Sequence, residues 1–245
     1  MELYNLVNAY SEKFIPIFIR VAVILSFIPF IGSRMTPVVV KAGLALALTL
    51  FLLPIVNVRM DNPVRAVFEA FFIGTAIGLA IQIVLGAVET AAQWISIEMG
   101  FGMAAVFNPQ FGETLGPLSL FYSYLSMGLF FILDMHYYFI EGIIRSFDIE
   151  NIRYDGIFKS ILRLNSVLFP LAFKIAAPIV LVQILVNLGM GFLSRAMPQA
   201  NIFFISAPLL IFLGFIFMSM SLPFVIIVIS KSFLNVRDAI MVFTR

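Results

Sequence analysis

Cysteine is absent from this chain, and histidine and tryptophan occur once each. The first absence excludes a disulfide framework, a thiolate metal site and a cysteine nucleophile, and one histidine cannot build a histidine cluster. Charge is scarce too: 11% of residues are Asp, Glu, Lys or Arg, and the formal net charge is +2. Soluble domains carry about 25% charged residues. No block of like charge forms a basic tail, so nucleic acid is not an expected partner. A phosphate-cradling Gly-rich loop, an HExxH pair and facing ligand-bearing helices are all missing. Asp134 and His136 stand two residues apart on a helix, hence on different faces, and make a poor acid–base pair. An enzyme is therefore not expected, and no cofactor or metal is expected.

What is present is apolar. Hydrophobic residues make up 62% of the chain, with 28 Phe and 12 Met, and the mean hydropathy is +1.09, which places it among integral membrane proteins. The N-terminus carries Glu2 and Glu12 and leads into a long apolar run with no small-residue cleavage site, so no removable signal peptide is read.

Uncharged runs measured against the roughly 20 residues of a spanning helix fall at 14–31 (interrupted by Arg20), 42–58, 70–88, 114–133 and 175–194. A sixth run, 196–230, holds 35 residues without a charge, too long for one crossing of a core about 30 Å thick. Pro198 and Pro208 divide it, which predicts a short re-entrant or packed segment followed by a crossing from about 208 to 230, kinked near Pro223. Stretch 188–209 is a polar, proline-broken interruption; backbone of this kind at membrane depth needs protein or water beside it. It points to assembly or a pore.

Six crossings put ten Lys and Arg on the side of the termini and three on the other, so the positive-inside rule places both termini in the cytoplasm. Residues 89–113 have no Lys or Arg and are apolar and Gly-rich around Glu98. They read as a connection folded back into protein, or else as a seventh, irregular membrane segment. Residues 141–165 mix charges with isoleucines at helical spacing, which suggests amphipathic helices at the cytoplasmic face. No linker or repeat divides the chain, so 1–245 is read as one domain.

Arg20 sits about two turns inside the first run, where a cation costs roughly 2.5–3.5 kcal/mol at mid-membrane. It either faces protein, water or a counter-ion, or snorkels to the cytoplasmic edge. Arg20, Gln82, Glu89, Glu98, Asp134, His136 and Lys174 could line an ion path in a secondary transporter, although the two matching halves usual for such proteins are not found. Gly74 and Gly78 form a GxxxG motif that favours close helix packing without naming the partner helix.

Three stretches, taken in order, resemble the FliR/SctT family of export-gate subunits in flagellar and virulence type III secretion. They are Arg20 with Pro29, Phe30, Pro37 and Lys41; Gly100 through Asn108-Pro109-Gln110 to Gly112; and Gly189 through Ser194, Arg195, Pro198, Gln199, Asn201 and Phe204 to Pro208. Asn108 stands where the family commonly has Asp, and Ser194 where it commonly has Asn; a carboxylate at 108 thus cannot be essential. His136 fits the family's fourth-span pattern and is taken as structural.

The resemblance implies an all-α polytopic membrane protein of about six hydrophobic helical segments with Pro/Gly-broken hairpins, a FliP-like part followed by a FliQ-like hairpin. It implies a non-enzymatic subunit assembled with FliP-like and FliQ-like membrane proteins beside an FlhB-like switch protein. The expected setting is the bacterial inner membrane within the flagellar basal body, with lipid and unfolded exported proteins as further partners. In that family the gate stands largely above the membrane plane, so hydropathy segments need not be bilayer crossings. Residues 106–116 resemble the loop that plugs the closed channel: Phe107 and Phe111 would fill the lumen, Asn108, Pro109 and Gln110 lie between them, and Gly112 and Gly116 would let the loop move. Ser194, Arg195, Pro198, Gln199, Asn201 and Pro208 are expected to set assembly geometry, with Arg195, Gln199 and Asn201 capping helix ends and bonding across subunits.

Overall fold

The computed structural model describes residues 2–28, 36–56, 58, 62–101, 116–147, 154–199 and 201–243. Seven helices are found among them: α1 (Glu2–Phe27), α2 (Val38–Leu52), α3 (Pro63–Glu98), α4 (Pro117–Ile132), α5 (Met135–Arg145), α6 (Tyr154–Ala196) and α7 (Ile202–Phe243). Among the described residues there is no strand.

All six apolar runs lie largely in helix; the difference from the sequence reading is in length. At about 1.5 Å per residue, the 36, 43 and 42 residues of α3, α6 and α7 reach about 54, 65 and 63 Å. These three are long and apolar enough to cross a membrane, and the α4–α5 pair, bent by 64°, makes a fourth if it is one broken span. Six crossings are thus not supported. Any 18 consecutive residues of α1 include three charges, from Glu2, Glu12, Lys13 and Arg20, and α2 has only 15 residues. The charge count that placed the termini assumed six crossings and loses that footing.

Three connections also change. Residues 89–98 are the end of α3 and not a loop; residues 154–165 are the first turns of α6 and not separate surface helices. The interruption after Ala196 is a turn at 197–199, and α7 then runs unbroken through Pro208, so no re-entrant segment separates Pro198 from Pro208. Proline removes one helix hydrogen bond without ending a membrane helix, because neighbouring groups re-satisfy the backbone. Pro170 and Pro178 likewise lie inside α6.

The described residues cluster into two compact units, whose boundaries fall inside α3, α4, α6 and α7. The first holds residues 1–84, 130–166 and 233–245. Its α3 face, Ala70, Ile73, Ile77 and Ala80, is fully buried at helical spacing, and α1 supplies Ile17, Val21 and Ile24. The GxxxG motif finds its partner here: a Cβ on Gly74 would sit 3.1 Å from the Arg20 carbonyl oxygen, and one on Gly78 would fall against the Phe27 ring. Phe130 meets Phe139 at 6.0 Å and Phe233 at 5.9 Å between ring centroids, both edge on. Asn62 opens α3 by accepting the Val64 N–H at 3.0 Å, with Pro63 in the first helical position.

The second unit holds residues 85–129 and 167–232. Its interior is formed by Ala87, Ala91, Ile95 and Met99 of α3, Tyr122 of α4, Ala172, Ile175 and Ile179 of α6, and Val225 and Ile229 of α7. Hydroxyls in these apolar helices turn inward on their own backbone: Thr90 donates to the Gly86 carbonyl at 2.7 Å and Ser219 to that of Phe215 at 2.9 Å.

Candidate functional site

The six residues read as a plug, Phe107, Asn108, Pro109, Gln110, Phe111 and Gly112, lie outside the described residues. Both ends of the segment that contains them are described. Helix α3 closes with the Phe101 N–H bonded to the Ser96 carbonyl and the Gly100 N–H to that of Ile97, both at 3.0 Å, while Gly100 has φ +84°. This paired pattern around a left-handed glycine is a Schellman stop; a side chain at position 100 would be strained. The chain resumes at Gly116, where a Cβ would meet the Ser96 hydroxyl at 3.4 Å. Gly116 therefore lies beside the last turn of α3, the same turn that the Gly100 stop closes.

Around that turn the surroundings are apolar with few polar groups. A groove of about 240 Å³ runs between the last turns of α3 (Trp94, Ile97, Glu98) and α6 (Phe173, Ala176, Ala177, Val180). Deeper in the unit, Gln183 is fully buried and its amide donates to the Leu210 carbonyl of α7 at 2.8 Å. Sequence reasoning passed over Gln183. The available signal was an amide in the middle of an uncharged run, which in an apolar medium needs a partner on another helix.

At the α6–α7 turn, Ser194 donates to the Gly191 carbonyl of its own helix at 2.8 Å, and the Met197 N–H bonds the Leu193 carbonyl at 2.9 Å. The Asn201 backbone carbonyl accepts the Phe204 N–H at 3.1 Å, opening α7. Pro198 and Gln199 form the turn, and Pro208 is inside α7. Arg195, in the last turn of α6 where a cation suits the helix dipole, borders a groove of about 380 Å³ with Ile184, Asn187, Leu188, Gly191 and Phe192. All six line one face of a single helix.

In the first unit Arg20 is 4% exposed. Its Nη1 donates to the Ser146 hydroxyl at 2.8 Å, its guanidinium lies 3.6 Å over the Phe147 ring, and the Ser146 hydroxyl donates in turn to the Ile143 carbonyl at 2.6 Å. Of the two sequence alternatives, Arg20 takes the protein-facing one. His136 is exposed and leans on Phe131 at 5.6 Å between centroids; Asp134 before it is left-handed at φ 53° and marks the α4–α5 bend.

Of the polar residues that could have lined a transport path, Gln82, Asp134, His136 and Lys174 are exposed, Glu89 and Glu98 are half-buried, and Arg20 is buried against Ser146 and Phe147. Among the described residues no three His, Cys, Asp or Glu come together in a way that could hold a metal ion.

Helices of this length and apolarity define a polytopic all-α membrane protein. Residues 12–236 match the family described as bacterial export proteins, family 1, and the chain belongs to that family. It is similar to the flagellar biosynthetic protein FliR of Bacillus subtilis, 30% identical over 240 residues that cover 90% of each chain. It is also similar to the FliR proteins of Pectobacterium carotovorum, 27% identical over 91% of this chain and 88% of that one, and of Escherichia coli, 27% identical over 84% and 83%.

Proposed function

We propose that this chain is a non-enzymatic subunit of the flagellar type III secretion export gate in the bacterial inner membrane. It works there as one unit, 1–245, assembled with FliP-like and FliQ-like subunits beside an FlhB-like switch protein, and unfolded substrates pass through the assembly. The observation that carries this reading is the length of α6 along which large apolar side chains stand exposed. Phe158, Phe169, Leu185 and Phe192 are 57%, 66%, 67% and 71% exposed. From the first to the last of these is about 51 Å of helix. A core about 30 Å thick takes up about 39 Å even at the 40° limit of common tilts. Lipid cannot cover the remainder, and exposed apolar surface on this scale marks an interaction face. Partner helices supply the cover.

Within the gate, residues 107–112 act as the plug of the closed channel, displaced when a substrate enters. Support comes from the two described flanks of this segment, the stop at Gly100 and Phe101 and Gly116 against Ser96, which lie on the same last turn of α3. Deleting 107–112 is expected to raise ion conductance through the assembled gate, read as leak in membrane vesicles; unchanged conductance in an intact assembly rejects the plug role.

A further inference from the structure

Helix α3 ends against α7, and the way it does so is specific. Met99 is fully buried. A Cβ built on Gly214 of α7 would stand 2.5 Å from the Met99 terminal carbon, 2.6 Å from its Cγ and 2.7 Å from the Gln183 amide nitrogen. No side chain fits at 214 while Met99 and Gln183 stay in place. Glycine inside a helix weakens it, and here the lost side chain is replaced by a thioether from another helix, the adaptable filler for such a gap. Gln183 fixes the same turn of α7 through its bond to the Leu210 carbonyl. Two residues beyond Met99, the Phe101 ring meets Phe215 edge on, with centroids 6.3 Å apart. Thioether on bare backbone, amide on carbonyl and ring on ring thus hold one turn of α7 to the end of α3.

We propose that Met99, seated on Gly214 and flanked by Gln183, is a positioning residue of the export gate: it fixes against α7 the point from which residues 102–115 leave α3. Its link to export rests on the plug role given above to residues 107–112; the seating itself does not.

The test uses the full chain in its assembled complex, with co-purification of the partner subunits monitored for every variant. Gly214→Ala unseats Met99 and raises ion conductance several-fold in an intact assembly. Met99→Ala combined with Gly214→Ala returns conductance toward the wild-type level, because the new methyl occupies space that the thioether vacated. Wild-type conductance in Gly214→Ala, or a double variant as leaky as the single one, overturns the proposal. A second measurement is independent of leak. The chain has no cysteine of its own, so Met99→Cys with Gly214→Cys reports the pair directly: oxidation cross-links them in the assembled complex, and a complex that does not cross-link overturns the seating. Deleting 107–112 separates the two ideas. A silent deletion alongside a formed cross-link removes the plug role and supports the seating, whereas a leaky deletion without a cross-link overturns the seating alone.

Discussion

Arg20 shows how a cation is kept inside an apolar unit without a carboxylate bonded to it among the described residues. Its charge is shared between the Ser146 hydroxyl and the face of Phe147, and its buried Nε has no acceptor among the described residues. Removing one partner of such a pair costs more than removing both, since an orphaned buried donor keeps its full desolvation penalty. Ser146→Ala is therefore expected to destabilise the protein by about 1–3 kcal/mol, read as a lower thermal midpoint of the purified assembly. Arg20→Met added to Ser146→Ala should cost nothing further; additive losses would show that the guanidinium stabilises through packing elsewhere. The position of Arg20 was legible in the sequence, because a cation in an apolar run is visible at once. Its partner was not, since Ser146 is 126 residues away and looks like any serine at a helix end.

Glycines decide how closely α1 lies on α3. The two positions of the GxxxG motif are not equivalent: a Cβ on Gly74 makes tight contacts of 3.1–3.3 Å, whereas one on Gly78 would overlap the Phe27 side chain, 2.7 Å from its Cγ and 2.9 Å from its Cβ. Overpacking of this kind costs about 1–3 kcal/mol. Gly78→Ala is expected to lose stability in that range and more than Gly74→Ala, with Phe27→Ala recovering part of the loss in the double variant; equal effects at the two glycines would contradict the packing. That these helices exist was readable from the apolar runs. Their lengths were not. Charges were taken as ends, yet Lys159, Arg163 and Lys174 are simply residues on a helix that continues past them. A proline likewise marks a boundary only where the backbone cannot be satisfied by neighbours, which separates Pro198, in a turn, from Pro208, inside α7.

The chain as a whole carries more apolar surface than it can bury alone. Of the most apolar 18-residue windows, 56% is buried in α3 but only 33% in α6 and 22% in α7. This gradient could not be read from composition, which counts apolar residues equally whether lipid, this chain or another subunit covers them. The export family was legible from spaced motifs, while the loop at their centre lies beyond what the described residues report. In the proposed gate, other subunits would bury α6 and α7 and the folded chain would depend on them, as for obligate oligomers whose stability is inseparable from association. The most direct check is size-exclusion chromatography of the chain extracted in detergent, expressed by itself and together with FliP-like and FliQ-like subunits. Co-expression should give one monodisperse complex containing this chain, and the chain alone should aggregate or be lost. A monodisperse, folded monomer that carries out ion-coupled solute uptake after reconstitution would contradict the export-gate reading and restore the transporter.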